Sequence, residues 1–344
     1  MTLFLHGLGH FHPENEITNA FLEALDIGTT EAWILERVGI HSRRTTLPLE
    51  YIRATRNRDP RGAQEATLYT HAEAGRRAAD VALARAGITA DDISMVIAGS
   101  SVMDTATPAE ACNIARALGI EAPALDVNSA CTSFLAHLYV LSLMRPEALP
   151  PFVLLVVSEA VTRAVDYTDR AAAVLWGDAT VAAVVSTTVP GRARVLGSTL
   201  ASSPEGAERV VVPRIGHFRQ DGRVVQMFAI KKTAEILGHL QGEYQQEDRR
   251  RHFVGHQANL RMLEAVCREC NIADERHHTN VEWYGNTAGA GAPSVVSMRW
   301  DDWAAEDDVA VVGVGAGLTW SSYLLRFERP PSRVNGSMQR EVSA

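Results

Sequence analysis

The chain has 344 residues and a formal charge of −8, from 33 Lys and Arg against 41 Asp and Glu. Apolar residues at 46% with charged residues at 22% give enough material for a buried core, which excludes intrinsic disorder as the main state. No apolar run approaches the ~20 residues that cross a bilayer, and the acidic balance has the wrong sign for a nucleic-acid binder.

In chain order, the opening residues lack the basic region, full apolar stretch and cleavage site of an export signal. The four cysteines (Cys112, Cys131, Cys267, Cys270) are too few for a disulfide scaffold. A cytoplasmic protein with reduced thiols is expected. Residues 48–67 are polar and Arg-rich and read as an inserted loop or short helix, a candidate pocket roof. An Ala/Arg amphipathic helix is predicted over 72–87, then a buried strand over 94–99 ending at a glycine. Cys112 falls in a helical pattern and is expected in the core. A strand-like start at 124 leads through small residues to a long apolar helix ending at Met144. Further apolar runs at 152–158, 180–186 and 309–314 predict strands. Such strands alternating with helices imply a sheet buried on both faces and an α/β layered fold. Each half shows a helix, a strand and a small-residue turn, Gly99-Ser100-Ser101 in the first and Tyr284-Gly285-Asn286-Thr287 in the second. A duplicated unit with a boundary near 189–192 is expected, giving halves 1–188 and 189–328 and a loose tail over 329–344.

Cys131 falls at the predicted strand-to-helix turn. There the unpaired N–H groups and positive end of the helix favour a thiolate, and small neighbours admit a carbonyl. On its own a cysteine is as readily a small core residue. His256 stands at another strand-to-helix junction, where functional groups of α/β proteins gather. Asn286 precedes a small-residue turn, where an amide equally serves as a helix cap. The glycines of 313–317 match neither a Walker nor a Rossmann spacing. Cys267 and Cys270 form a C-x-x-C with no second ligand pair at zinc spacing, so no metal is expected.

Together these segments resemble 3-oxoacyl-(acyl-carrier-protein) synthase III, a thiolase-superfamily condensing enzyme, from Leu5 to Phe327. The carriers are the opening stretches 13–19 and 33–40, the Cys131 turn, Trp176-Gly177-Asp178-Ala179, His256-Gln257-Ala258-Asn259-Leu260-Arg261, Gly285-Asn286-Thr287 and Gly317-Leu318-Thr319-Trp320. The resemblance implies a five-layer αβαβα fold of two similar halves, a homodimer, and no cofactor, metal, nucleic acid or membrane. It implies a reaction in which Cys131 takes an acyl group from acyl-CoA and a malonyl-carrier-protein then condenses with it. His256 and Asn286 resemble the donors to the malonyl thioester oxygen, and the N–H groups of Cys131 and Gly317 the oxyanion hole. Trp33 and Arg170 resemble the pair that sandwiches an adenine, Thr29 and Arg37 their neighbours, and Asn259 a pantetheine contact. Arg261 resembles the arginine that docks the acyl carrier protein, and Arg249 and Arg250 offer further positive charge for it.

Two departures bear on specificity. Acetyl-specific members often carry Phe where Thr107 precedes Pro108, and that residue closes the partner's acyl tunnel. Threonine is smaller, so a longer tunnel and a medium-chain primer are expected. Gly177-Asp178-Ala179-Thr180 in place of Gly-Asp-Gly-Ala indicates a divergent, non-housekeeping branch. The alternatives are a specialised ketosynthase that joins two acyl chains or forms a quinolone or pyrone precursor, and acyl transfer to an alcohol or amine. Outside condensing chemistry stand an inactive partner of a catalytic homologue, which the presence of Cys131, His256 and Asn286 argues against, and a C-x-x-C redox or metal protein.

Overall fold

The computed structural model describes residues 2–329. Nine strands form one sheet: β1 (Leu3–Phe11), β2 (Val96–Gly99), β3 (Ala124–Asp126), β4 (Val153–Glu159), β5 (Ala179–Ser186), β6 (Ala193–Ser202), β7 (Arg250–Gly255), β8 (Asp307–Gly315) and β9 (Thr319–Phe327). Seven helices matter for the layers and the site: α1 (Glu31–Arg37), α2 (His71–Ala86), α3 (Glu110–Leu118), α4 (Ser133–Leu143), α5 (Gly222–Tyr244), α6 (Leu260–Cys270) and α7 (Gly291–Met298).

The sheet order is β7-β8-β9-β6-β1-β5-β4-β2-β3, and it contains the same pattern twice. Outward from β1, strands β5 and β4 are added antiparallel, then β2 and β3 parallel. Outward from β6, strands β9 and β8 are added antiparallel, then β7 parallel, followed by a parallel bridge from Phe253 to His277. The two patterns meet where β1 pairs with β6. The strands of each half that end in the parallel region, β4 and β8, are buried at every position, as strands covered on both faces must be.

Helices α4 and α7 lie between the two halves of the sheet, where they form the middle layer. All of α7 but its last residue and the first six residues of α4 are buried, and the sequence reflects this: α4 is mostly apolar all round instead of on one stripe. Helices α2 and α3 cover the first half and α5 and α6 the second, which completes five layers. Helix α2 begins with a capping box (Thr70 and Glu73) and ends on Gly87 in the left-handed conformation. Its alanine face lets it settle onto β1 at Gly7 and Gly9, where an added Cβ would stand 2.1 Å from the carbonyl oxygens of Ala82 and Ala78. That approach requires glycine.

The predicted strands and the 72–87 helix fall within two residues of the observed elements. Three expectations are corrected. The matching of Gly99-Ser100-Ser101 with Tyr284-Gly285-Asn286-Thr287 pairs the wrong turns: by strand position the first corresponds to Gly255-His256-Gln257, and the second to Asn128-Ser129-Ala130-Cys131. Cys112 is exposed, on the outer side of α3. The 48–67 insertion forms two short helices, Leu49–Thr55 and Pro60–Ala66. The second of them lines a separate cavity of about 600 Å³ through Pro60, Arg61, Gln64 and Glu65, and neither lines the cavity at Cys131. The expected tail over 329–344 lies, after Arg329, outside the described residues. No helix among the described residues is long and apolar enough to cross a membrane.

Candidate active site

Cys131 lies in a one-turn 3-10 helix (Ala130–Thr132) between β3 and α4. The turn is forced by its surroundings. Ala130 adopts φ 48°, a left-handed conformation that an L-residue rarely takes, and the Asn128 side chain fixes it by accepting from the Ala130 N–H at 2.9 Å. Gly315, the last residue of β8, packs against the nucleophile turn; a Cβ there would stand 2.9 Å from Cys131 Cβ.

His256 follows β7 directly. Gln257 beside it is fully buried, and its amide oxygen accepts from the N–H groups of Asn280 and Val281 at 3.1 and 3.2 Å. It thereby ties the His256 turn to the segment that carries Asn286. Asn286 pairs with Trp176 in a parallel bridge: its N–H donates to Leu175 O at 2.8 Å, and Gly177 N–H donates to its carbonyl at 3.0 Å. This explains the Trp176-Gly177-Asp178 motif. Any Cβ at Gly177 would strike Tyr284 O at 2.1 Å. Asp178 is fully buried and accepts four hydrogen bonds, from the N–H and hydroxyl groups of Thr46 and Thr162. The motif is a brace between the halves.

Cys131, His256 and Asn286 line one cavity of about 250 Å³, together with Trp33, Arg37 and Asn259. Six of the residues expected at the site from the sequence thus converge there. The others are placed as follows. Arg170 stands over Trp33, its guanidinium carbon 4.5 Å from the ring centroid, and donates to Gly28 O at 2.6 Å. Arg37 lies 5.9 Å from the same ring. The two stacking partners therefore close on each other, and an adenine between them requires Arg170 to swing out. Thr29 is buried at this mouth, and its hydroxyl has no hydrogen-bond partner among the described residues. Asn259 caps α6, accepting from Met262 N–H at 2.8 Å, which leaves its amino end toward a ligand.

Gly317 is corrected to Ala316. The backbone N–H groups of Ala316 and Cys131 are those directed at the sulfur, whereas Gly317, at φ 127°, belongs to the β8–β9 turn outside the cavity. Thr107 is exposed and does not line the cavity of its own chain. Arg249 and Arg250 are withdrawn from carrier docking. Arg249 is committed to Asp308 at 2.6 Å and to three backbone carbonyls, and Arg250 to Asp307 at 2.8 Å. They sit at the start of β7, while His256 follows its end, roughly 20 Å away at the rise of a strand. Arg261 stays near the mouth, donating to Leu35 O at 2.8 Å and Glu36 O at 3.2 Å of helix α1 and pairing with Glu264.

Burial decides the electrostatics of the site. It pushes the Cys131 thiol up to about 12, with the Glu159 carboxylate adding to the rise and the two N–H groups opposing it. The resting nucleophile is a thiol, against the expectation that the helix end makes it a thiolate. Burial pushes His256 down to about 4, so its imidazole is neutral at physiological pH. Asn286 accepts from Ala288 N–H at 3.0 Å through Oδ1, which leaves Nδ2 as its donor end. The cavity thus presents a protonated thiol and two neutral donors. Sequence reasoning missed the wall opposite: Val210, Val225, Gln226 and Ala229, from the segment before α5 and its first turns. Val210 lies in the two-residue strand Val210–Val211 and the others on the helix, and no local signal marks them. It also missed Glu159, considered below.

Five layers, duplicated halves and a cysteine buried beside a neutral histidine and an asparagine define a thiolase-fold condensing enzyme of the acyltransferase class. Two family models match: 3-oxoacyl-[acyl-carrier-protein] synthase III over residues 125–204 and its C-terminal counterpart over 243–327. A beta-ketoacyl-[acyl-carrier-protein] synthase III of Oceanobacillus iheyensis is 30% identical over 334 residues, covering 95% of this chain and 99% of that one. The crystal structure of the 3-oxoacyl-[acyl-carrier-protein] synthase III of Aquifex aeolicus superposes with a TM-score of 0.83 at 25% identity, covering 94% of this chain and all of that one. A priming β-ketosynthase of the R1128 polyketide pathway superposes at 0.80 with 25% identity over 96% of this chain and 97% of its own. The chain belongs to the 3-oxoacyl-(acyl-carrier-protein) synthase III family, and its reaction is that family's condensation.

Proposed function

We propose that Cys131 is loaded with a medium-chain acyl group from acyl-CoA and that malonyl-carrier-protein condenses with it to give a 3-oxoacyl thioester. The observation that carries this reading is the convergence of Cys131, His256 and Asn286 on one cavity with Trp33 and Arg170 at its mouth. In the first half-reaction the Cys131 sulfur attacks the thioester carbonyl. The tetrahedral oxyanion accepts from the N–H groups of Cys131 and Ala316, and coenzyme A leaves with the thiol proton. In the second, the malonyl thioester oxygen accepts from His256 and Asn286 Nδ2. Carbon dioxide departs, the enolate carbon attacks the Cys131 acyl carbonyl, and the returning sulfur takes up a proton.

Neutral donors suit this step. Negative charge develops on the oxygen during decarboxylation, and a donor fixed beforehand in a dry site needs no reorganisation to meet it. A carboxylate at position 286 would repel the enolate, so the asparagine favours condensation over simple acyl transfer. The chain-length reading rests on Thr107: in a homodimer, a threonine in place of phenylalanine leaves the far end of the partner's tunnel open. Arg261, beside the mouth helix, supplies the positive charge for an acidic carrier protein.

Intact-protein mass spectrometry after incubation with acyl-CoAs from acetyl to dodecanoyl tests the reading. Medium-chain adducts on the wild type, absent in Cys131→Ala and discharged by malonyl-carrier-protein to a 3-oxo product, are expected. Loading by acetyl alone overturns the chain-length assignment and leaves the chemistry standing. Adducts that persist in Cys131→Ala overturn the nucleophile.

A further inference from the structure

Glu159 ends β4 and is buried, with 2% of its surface exposed. A carboxylate in such a place ordinarily has a cation beside it. Here Arg163, four residues further along the chain, is spent on Asp104 at 2.6 Å, His71 at 3.0 Å and Val102 O at 2.7 Å. Glu159 instead accepts from three neutral donors: Ser101 N–H at 2.9 Å, Ser101 hydroxyl at 3.1 Å and Gly289 N–H at 3.3 Å. Ser101 belongs to the turn after β2 in the first half. Gly289 belongs to the turn after Asn286 in the second.

Gly289 also fixes how near this carboxyl lies to the nucleophile. A Cβ built on Gly289 would stand 2.9 Å from Ala130 O and 3.1 Å from Glu159 Oε1. The carboxyl and the residue preceding Cys131 therefore press on the same glycine from two sides. The titratable groups facing Glu159 are Cys131 from the nucleophile turn, Asp178 from β5, and Tyr69 and His71 at the start of α2, which line the same small void. Asp178 is already saturated by Thr46 and Thr162.

We propose that Glu159 is a positioning residue of the condensing reaction: its carboxyl clamps the Ser101 turn to the Gly289 turn behind Cys131, and its charge governs how readily the thiol ionises. This rests on Cys131 as the nucleophile. Burial, opposed by the three donors and reinforced by Asp178, pushes the carboxyl up to about 8. The group is therefore mostly protonated and uncharged at neutral pH, where the site must build negative charge on sulfur. Above that point it ionises, and a carboxylate then faces the sulfur in a dry interior.

The rate of Cys131 alkylation by iodoacetamide across pH 6 to 10 reads this directly. A lone thiol with so high a proton affinity gives a log rate that climbs steadily with pH through this range. In the wild type the climb is expected to bend downward near pH 8 as Glu159 ionises. In Glu159→Gln the bend disappears: the two proteins alkylate alike below pH 7, and the variant is at least about threefold faster above pH 9. A residue that only fills space would shift the rate equally at every pH. Wild-type and variant profiles that run parallel overturn the proposal. Ser101→Ala, at a half-exposed position, provides a second reading if the Gln variant does not fold. It removes one donor to the carboxylate, so the bend is expected to move to higher pH, and an unmoved bend counts against the clamp. The rate is read on the peptide that carries Cys131, because Cys112 is exposed and alkylates as well. Acyl loading is the control: a Cys131→Ala variant that still takes up an acyl group condemns the nucleophile assignment and not Glu159.

Discussion

The turn after the third strand position is built almost identically in the two halves, yet it offers different chemistry. In the first half Asn128 accepts from Ala130 N–H at 2.9 Å, Ala130 takes φ 48°, and a buried helix follows. In the second half Asn286 accepts from Ala288 N–H at 3.0 Å, Ala288 takes φ 47°, and another buried helix follows. The same asparagine–alanine device turns the chain at both places. What differs is the next residue. Cys131 occupies in one turn the place that Gly289 occupies in the other, and Asn286 faces the cavity while Asn128 lines the neighbouring one. The two turns pack back to back, so only one can carry a side chain at that place; a Cβ on Gly289 would run into Ala130 O. One ancestral-looking scaffold thus supplies a nucleophile from one copy and a donor from the other.

The largest test of this division makes the first turn like the second. Cys131→Gly is expected to abolish acyl loading, read as the loss of every acyl adduct by mass spectrometry. Making the second turn like the first is the converse: Gly289→Ala forces a Cβ against Ala130 O and the Glu159 carboxyl. Overpacking of this kind costs about 1–3 kcal/mol, to be read as a lower midpoint of denaturant unfolding, and displaces the nucleophile enough to slow loading. Asn286→Asp separates the half-reactions. Loading of Cys131 is expected to survive, while decarboxylation of the malonyl thioester falls by at least about 10²-fold, the scale of losing one oxyanion donor. Equal losses in both steps would contradict the assignment of Asn286 to the second.

The pH dependence of the second half is a smaller effect. Burial holds His256 near 4 against an ordinary 6.5. Its neutral, donating form therefore persists through pH 6.5, and condensation should show no histidine step there. The sign for stability is the opposite of a paired histidine. Between pH 6.5 and about 4 the unfolded chain takes up a proton at this position and the folded one does not, so stability falls as pH falls through that window. His256→Asn is expected to make the acid limb of the unfolding curve shallower; an unchanged limb would place the proton on the folded imidazole.

The fold was largely legible because buried strands are continuous apolar runs and because the Ala-rich face of α2 and the mostly apolar α4 have unambiguous patterns. Cys131, His256 and Asn286 were singled out for another reason: each local signal is weak alone, and the ordered set of motifs carries the resemblance. The strand expected before Asn286 is instead the short helix Val281–Tyr284. The repeat was misaligned because short turns of Gly and Ser look alike, and only strand order shows which of them correspond. Gly317 was assigned by resemblance, one residue beyond Ala316, the one of the two that lines the cavity. The protonation of Cys131 was misjudged because a helix end is visible in sequence and the depth of burial is not. Glu159 carries no motif; its significance is the absence of a cation at the end of a buried strand, a property of packing.

The smallest expected effect concerns strand β7, whose two ends the sequence did not distinguish. The basic run and His256 are neighbours in the chain, so reading both as parts of one mouth is natural. A strand separates them by roughly 20 Å. At the near end Arg261 braces helix α1, which bears Trp33, and remains 42% exposed at its side chain. At the far end Arg250 pairs with Asp307 beside His252, which lies 3.1 Å from the same carboxylate. Arg261→Ala is therefore expected to raise KM for malonyl-carrier-protein with little change in loading from acyl-CoA. Arg250→Ala should leave that KM within about twofold. It should lower stability by no more than about 1 kcal/mol, because its side chain is half exposed and solvent screens the pair. A matching rise in KM for both variants would bring the far end of the strand back into the carrier surface, and would mean that the partner reaches across the whole edge of the second half.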